Sequence, residues 1–275
     1  MKLTVFLCAL ALALAAHAEP VKLAPGPSPA DNPLKGLVPY SNPKPGCFPH
    51  SLEFNYLRFS DLMTGPESFD WQPLEKLLDG IASRGNQTVF RVWIEFPGQT
   101  SGLPKFLREQ GVKVTEWKET ETKPREKVCF SPDYEDERLV RAMESFITAL
   151  GKRYDGDARI GYITAGLLGS WGEWHTYPRE DLFASVKTQN RVLDAYEKAF
   201  KKTPVLVRYP VGKEKPGLAS NASRPFGYHD DSFAWGTMDN GKKTAQPKTV
   251  CVDLAISIYR FDPMRVIGIV TLGCV

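Results

Sequence analysis

The chain has 275 residues, of which 42% are hydrophobic and 24% are charged, and its formal net charge is +3. This composition is typical of a globular protein. So small a charge excess gives no support to nucleic-acid or membrane-surface binding, and we expect no nucleic-acid partner. Aromatic residues make up 11% of the chain, including six Trp. Exposed aromatic faces suit sugar rings, and core packing is the alternative.

The first 18 residues have the pattern of a secretory signal. Lys2 supplies a positive charge, the apolar run "LTVFLCALALALAA" follows, and Ala16 and Ala18 form a small-residue cleavage site. The run is shorter than the ~20 residues that a spanning helix needs, and no later stretch is long enough. We expect residues 1–18 to be removed, leaving a secreted or periplasmic protein without a membrane span.

The mature chain keeps four cysteines, which are Cys47, Cys129, Cys251 and Cys274. Export permits disulfides, but the sequence does not determine their pairing. Because no C-x-x-C or Cys/His ligand spacing occurs, we expect neither a metal nor another cofactor.

Three regions follow the signal. Residues 19–33 form a Pro-rich leader, residues 34–245 alternate strand-like and helix-like patterns in about six β/α units, and residues 246–275 form an atypical tail. Strands are expected at residues 36–40, 54–62, 87–96, 161–175, 204–210 and 226–233, and helices at 69–85, from 133 onward and at 179–202. A long polar loop is expected between residue 96 and the second helix.

Strands separated by helices indicate parallel β/α units, which form either an open doubly wound sheet or a barrel. No Gly-rich phosphate turn follows the first strand, which disfavours a nucleotide-binding sheet. Polar residues instead recur where strands end, at Glu95, Glu173, Arg208 and His229. In a barrel these ends meet on one face, where active sites lie. We therefore predict an α/β fold of the (β/α)8 TIM-barrel type, incomplete at its C-terminus.

The strand "TVFRVWIEF" alternates in polarity. Arg91, Trp93 and Glu95 share one face, which we expect to line the barrel interior or mouth. The apolar residues between them would pack against helices. A structural Arg91–Glu95 ion pair is the alternative to a direct role in chemistry.

Several motifs together resemble known proteins. The region "YLRFSDLMTGPESFDWQPLEKLLDGIASRGNQTVFRVWIEFPG" resembles barrel glycoside hydrolases of the large clan that includes β-galactosidases and xylanases. More closely, "NPLKG", "GSWGEWH", "VRYP" and "GYHDDSF" resemble a family of exported proteins described as a domain of unknown function with a glycosidase-like barrel. This resemblance covers about residues 32–243.

The resemblance implies that Glu173, at the end of the fourth barrel strand, is the acid/base carboxyl. Two features depart from the clan pattern. Gly172 stands where the clan carries an Asn that binds the sugar 2-hydroxyl, and no match to the strand that supplies the nucleophile Glu follows residue 243. A truncated or altered reading frame would explain the second departure.

Glycoside hydrolysis needs two carboxyls, about 5–5.5 Å apart for retention and about 6.5–9.5 Å apart for inversion. Glu173 lies between Trp171 and Trp174, whose indoles would desolvate the carboxyl and offer faces to a sugar ring. A structural Glu is the alternative.

The second carboxyl is expected among Asp231, Asp230 and Glu95. Adjacent strand residues face opposite ways, so Asp230 and Asp231 cannot both face the site, and Asp231 shares its face with His229. Further substrate-binding candidates are His175, Arg208, His229, Asp230 and Trp93. Arg208 could instead neutralise Glu173 or Asp231, and a metal site from the His, Asp and Glu set is a further alternative.

The sequence thus predicts an exported glycoside-hydrolase-like barrel that acts on a poly- or oligosaccharide through carboxyl acid/base catalysis. The alternatives are a non-catalytic carbohydrate-binding barrel and an inactive truncated homologue.

Overall fold

Strands and helices alternate through the part of the chain that the structure, a computed structural model, describes. This part comprises residues 37–44, 48–119, 126–208, 210–212, 216–229 and 270–272. Its strands are β1 (Leu37–Pro39), β2 (Leu52–Arg58), β3 (Met63–Gly65), β4 (Ser68–Phe69), β5 (Gln87–Trp93), β6 (Val114–Glu119), β7 (Lys127–Pro132), β8 (Ile160–Thr164), β9 (Val205–Val207), β10 (Gly227–Tyr228) and β11 (Val270–Leu272). Its helices are α1 (Phe59–Leu62), α2 (Gln72–Ala82), α3 (Lys105–Glu109), α4 (Glu137–Tyr154) and α5 (Val186–Ala199), with a 3-10 turn at Glu180–Leu182.

The central sheet keeps its strands in chain order. β2, β5, β8, β9 and β10 are hydrogen-bonded in that sequence, and each neighbouring pair is parallel. β1 lies beside β2 through the Tyr40–Phe54 bridge and pairs in parallel with β11. A doubly wound sheet reverses its strand order at a switch point, whereas a β/α barrel does not. The predicted α/β fold of the (β/α)8 barrel type is therefore confirmed.

Several predicted features lie outside the described residues. These are the signal, the leader, the domain limits at residues 18, 33 and 245, and Cys47, Cys251 and Cys274. The tail and the expected incomplete C-terminus also lie outside them, except for β11. Cys129 is described, and it is a buried free thiol. Among the helices that the structure describes, none is both long and apolar enough to cross a membrane.

Side-chain caps determine where the two longest helices begin. The Asp136 carboxylate accepts a first-turn backbone N–H at 3.0 Å, so α4 begins at Glu137, four residues after the predicted start at Asp133. Ser185 Oγ accepts the Thr188 N–H at 3.3 Å, so α5 begins later than the predicted residue 179. The segment before Ser185 contains the 3-10 turn instead.

An antiparallel hairpin, formed by β6 and β7, stands between β5 and α4 where the sequence predicts a polar loop. Gly98 N–H donates to the Val128 carbonyl at 2.8 Å and ties the hairpin to the segment after β5. The hairpin therefore borders the C-terminal end of the sheet.

Two apolar clusters lie on opposite faces of the sheet. The larger contains Phe90, Val92 and Ile94 and packs them against the helices. The smaller lies on the inner face and consists of Val38, Leu52, Phe54, Val89, Tyr162 and Leu206. The alternation predicted for β5 is thus confirmed, and Arg91 continues the inner face beyond Val89.

An ion pair between a buried carboxylate and an exposed guanidinium closes the N-terminal end of the sheet. Glu53 is fully buried, and Arg84 contacts both of its carboxylate oxygens, at 2.9 Å and 2.6 Å. Burial raises the pKa of Glu53, but hydrogen bonds from Arg84, Asn86 and Asn42 outweigh burial and leave the pKa below its ordinary value. This end of the barrel is structural, and the candidate site lies at the other end.

Candidate functional site

A layer of polar side chains crosses the inner face of the sheet near its C-terminal end. Tyr56 of β2, Arg91 of β5 and Thr164 of β8 are register partners in neighbouring strands. Arg208 follows β9 directly, and His229 follows β10. The C-terminal ends of these strands therefore converge on one face of the barrel, as the sequence predicts.

Arg91 organises this layer although none of its side chain reaches solvent. Its Nη1 lies 3.3 Å from Glu173 Oε1 and 3.4 Å from Tyr56 OH, and its Nε donates to Thr164 Oγ1 at 3.2 Å. Its Nη2 approaches the His229 ring nitrogens at 3.3 Å and 3.4 Å. Arg91 thus pairs with Glu173 rather than with Glu95, the alternative considered from the sequence.

Glu173 lies at the meeting point of three cationic or titratable groups. Besides the Arg91 contact, its Oε2 lies 3.6 Å from His175 Nε2 and 3.8 Å from Arg208 Nε. The Glu173 side chain is 14% exposed, whereas that of Arg208 is 6% exposed. The carboxylate is therefore held from inside the barrel and open on one side to solvent. The role in neutralising Glu173 that was considered for Arg208 agrees with this contact.

The two indoles next to Glu173 have different surroundings. Trp174 is 8% exposed, belongs to the larger apolar cluster, and donates its indole N–H to the Ala165 carbonyl at 2.8 Å. Trp171 is half-buried and packs at 6.2 Å from the Phe96 ring and 6.1 Å from the His175 ring. Only Trp171 of this pair therefore presents its ring at the mouth.

An unusual backbone shapes the segment from Ala165 to Thr176. Leu167, Trp171 and Trp174 have positive φ angles of 69°, 55° and 61°. Each such non-glycine residue costs about 1–3 kcal/mol, and strain of this kind concentrates at functional sites. Trp171 N–H donates to the Glu95 carbonyl at 2.9 Å and fixes the loop to the end of β5.

Gly172, which stands where the resembled clan has Asn, has a φ of +70°. A Cβ at this position would lie 3.1 Å from the Val92 carbonyl oxygen and 3.2 Å from Arg91 Cδ. Gly166 closes the same space from the other side, where a Cβ would meet the Val92 carbonyl and Arg91 Cγ. The two glycines therefore make room for the Arg91 side chain, which explains the departure from the clan pattern physically.

Glu95 is fully buried beneath the loop. Ser170 Oγ donates to its Oε1 at 2.8 Å. Burial raises the pKa of Glu95, and hydrogen bonding from Ser131 and Ser170 and the nearby His175 oppose this rise only in part. The structure therefore places Glu95 under the loop and away from solvent.

The remaining candidates lie at or beyond the edge of the described residues. His175 is partly exposed, and its buried Nδ1 has no hydrogen-bond partner among the described residues. Trp93 is 6% exposed. Asp230 and Asp231 lie outside the described residues, directly after His229. Within the described ranges, no group of three or more His, Cys, Asp or Glu residues could hold a metal ion.

Sequence reasoning missed three polar or aromatic neighbours of the site. Tyr56 and Thr164 contact Arg91, and Phe96 packs against Trp171. The alternation of "FNYLR" signals that Tyr56 shares the inner face with Phe54. No comparable signal marks Phe96, which follows the end of β5.

No protein-family model matches the chain, and no curated protein matches it. Solved structures do resemble it. Endo-glycoceramidase II from Rhodococcus sp., as its lactosyl-enzyme intermediate, is 13% identical with a TM-score of 0.46, and the match covers 89% of this chain and 75% of that one. The iminocyclitol complex of the same enzyme is 12% identical with a TM-score of 0.45, and the match covers 84% of this chain. This chain spans 61% of the length of that structure.

GH5_18 from Bifidobacterium longum subsp. longum is 10% identical with a TM-score of 0.46, and the match covers 81% of this chain and 60% of that one. A variant of GH5_18 has been solved in complex with Manβ1-4GlcNAc. Because these scores and identities are low, the fold is inferred from the strand order, and no activity is inferred from the likeness.

Proposed function

We propose that this chain is an exported glycoside-hydrolase-like barrel that binds a poly- or oligosaccharide at the mouth around Glu173 and hydrolyses a glycosidic bond. The observation that carries this proposal is the placement of Glu173. A carboxylate 14% exposed and held by Arg91 and Arg208 lies at the C-terminal end of a parallel barrel, where barrel enzymes carry their active sites. The motif resemblance supports the same assignment.

In this proposal Glu173 is the acid/base carboxyl. It gives a proton to the glycosidic oxygen as the bond to the anomeric carbon breaks. Water supplies the hydroxyl that the anomeric carbon gains, and the proton that this water loses passes to the second carboxyl. Arg91 and Arg208 fix the position of the carboxyl, and His175 lies beside its second oxygen. The half-buried Trp171 would pack against a sugar ring.

The second carboxyl is proposed to be Asp231, because alternation along the strand predicted at residues 226–233 would place it on the face of His229, and His229 contacts Arg91. Asp230 would then contact substrate or a neighbouring strand. Glu95 is enclosed by protein in this arrangement, so a direct contact between Glu95 and a sugar would require the loop above it to move.

Export is proposed from the signal pattern that ends at Ala18. Expression with the complete N-terminus in a secreting host, followed by N-terminal sequencing of the product, tests it. A mature N-terminus at Glu19 supports export, and an intact Met1 in the cell extract opposes it.

One observation favours a second candidate, carbohydrate binding without hydrolysis. Of the two carboxyls that the sequence predicts at described strand ends, Glu95 is fully buried and only Glu173 reaches solvent. A panel of oligosaccharides separates the candidates, with binding measured by calorimetry and hydrolysis by reducing-end release. Hydrolysis that disappears in Glu173→Gln supports the enzyme. Binding by wild type without hydrolysis supports the binding protein, and the absence of both overturns the proposed carbohydrate function.

A further inference from the structure

A row of aromatic rings runs along the C-terminal edge of the sheet and ends near Glu173. The Trp93 ring lies 5.2 Å from the Phe96 ring, and the Phe96 ring lies 6.2 Å from the Trp171 ring, measured between centroids. A cation lies over each end of the row. The Arg58 guanidinium is 4.9 Å from the Trp93 ring centre, and Lys127 Nζ is 5.9 Å from the Trp171 ring centre. We call these five residues the cation-capped ridge.

The main chain explains how the ridge forms. Arg58 and Trp93 are register partners at the ends of β2 and β5, so their side chains lie side by side on the mouth of the barrel. Lys127 begins β7, and the Gly98–Val128 hydrogen bond holds this strand against the segment that carries Phe96. The ridge therefore joins two barrel strands, the hairpin and the loop of Glu173.

Neither cation of the ridge has a carboxylate partner in the described part of the chain, although most of the Arg side chains there form ion pairs. On the same hairpin, Lys118 pairs with Glu126 at 3.1 Å. Arg58 and Lys127 instead contact indole faces, and both side chains are only partly buried. A cation over a ring keeps most of its charge available, because cation–π attraction at such sites is weak compared with charge pairing to a bound anion.

We propose that the cation-capped ridge binds a glycan that carries anionic substituents, carboxylate or sulfate, so that the substrate class of the site is an acidic saccharide. This inference rests on the proposed function, since it names the ligand of the same mouth. The half-buried rings of Phe96 and Trp171 would contact the apolar C–H face of a sugar, and Arg58 and Lys127 would each receive an anionic group.

The net charge of +3 is too small to attract polyanions to the whole protein. The proposed preference for anionic glycans therefore belongs to the cation-capped ridge itself. The ridge ends at Trp171, two residues before Glu173 in the sequence. An anionic sugar bound at this end would therefore lie near the glycosidic oxygen that Glu173 is proposed to protonate.

The test measures binding in the Glu173→Gln background, which prevents hydrolysis during titration. The probes are galacturonate oligosaccharides, glucuronate-containing oligosaccharides and sulfated galactose oligosaccharides, each beside its carboxyl-reduced or desulfated counterpart. The variants are Arg58→Met and Lys127→Met, which keep an apolar chain of similar length over each indole. Lys118→Met is the matched control on the same hairpin, and thermal melting checks that each variant is folded.

We expect at least one anionic probe to bind about 10-fold more tightly than its neutral counterpart, and each ridge variant to reduce that preference about 3- to 5-fold, as partly exposed charge pairs do. Raising the salt concentration should reduce the preference as well. Lys118→Met should leave it unchanged. The probe series that shows the preference distinguishes carboxylate from sulfate.

Three results would overturn the acidic-saccharide inference, and they differ in what they imply about the proposed function. Neutral probes that bind as tightly as anionic ones, or a preference that survives both ridge substitutions, would overturn the acidic-saccharide inference and leave the proposed function standing. No binding or hydrolysis of any saccharide would overturn both.

Discussion

Arg91 and Glu173, 82 residues apart in the chain, form an ion pair of 3.3 Å between a fully buried guanidinium and a partly exposed carboxylate. The pair joins β5 to the loop after β8 and fixes the position of the carboxyl at the mouth. Removing one partner of such a pair leaves the other without compensation in a poorly hydrated environment. The pair is therefore both a stability element and the support of the proposed catalytic group.

A double-mutant cycle measures this coupling. Arg91→Met alone should lower the free energy of unfolding by about 3–5 kcal/mol, because Glu173, Thr164 and Tyr56 all lose a donor. Glu173→Gln keeps the shape and should cost less. The two changes should be non-additive by about 1 kcal/mol or more in urea unfolding. Additivity to within about 0.3 kcal/mol would show that the pair does not contribute as a unit.

Part of this site can be predicted from the sequence alone, through the alternation of side chains along strands and the convergence of strand ends in a barrel. Strand alternation places Arg91 on the inner face, and the parallel β/α pattern brings Glu173, Arg208 and His229 to the same end. Both inferences need only the period of a strand and the geometry of a barrel. The partner of Arg91 does not follow from either, because alternation within one strand suggests Glu95 and gives no distance between Arg91 and the loop that carries Glu173.

The other differences between the sequence-based predictions and the structure arise from local backbone geometry. Trp171 and Trp174 look equivalent in "GSWGEWH", but the succession of positive φ angles through the loop turns one indole to the mouth and the other into the core. The β6–β7 hairpin was not predicted because residues 114–119 are mostly polar, so no apolar periodicity marks the strand. Ser185 begins α5 as a cap after a 3-10 turn, a boundary that helical periodicity does not resolve.

The two tryptophans should respond differently to truncation. Trp174→Ala should lower the free energy of unfolding by about 3–5 kcal/mol, since it removes a core side chain. Trp171→Ala should have a much smaller effect on stability and should weaken saccharide binding. Urea unfolding and calorimetric titration provide the two readouts. Equal losses of stability would contradict the different placement of the two indoles.

Gly172→Asn would introduce the residue that the resembled clan carries. The positive φ is tolerable for Asn, but its Cβ would crowd Arg91 Cδ and the Val92 carbonyl. We expect a loss of about 1–3 kcal/mol in the free energy of unfolding, typical of overpacking.

Gly80→Ala is the matched control for that substitution. A Cβ at Gly80 in α2 meets nothing within 4 Å, so alanine should raise stability by about 0.5–1 kcal/mol. A Gly172→Asn protein as stable as wild type would show that Arg91 does not require glycine at this position.

The raised pKa of Glu95 gives a pH dependence with a definite sign. A carboxyl whose pKa is higher in the folded than in the unfolded protein favours folding most at low pH, and this contribution is lost as the pH rises from the ordinary value of 4.5 through the raised one. Glu95→Gln removes the ionisation, so the variant should gain stability relative to wild type over this interval. Urea unfolding from pH 4 to pH 8 measures the difference. A difference that is constant with pH, or that falls as the pH rises, would contradict the burial described for Glu95.

The most direct measurement for the account as a whole is saccharide hydrolysis by the mature protein beside Glu173→Gln. Glu137→Gln, at an exposed ion pair on α4, serves as a control for the chemical change. The account predicts release of reducing ends by wild type and by the Glu137→Gln control, and loss of at least about 100-fold in Glu173→Gln, the scale of general acid–base catalysis. Unchanged hydrolysis by Glu173→Gln would contradict the assignment of Glu173 as the catalytic carboxyl.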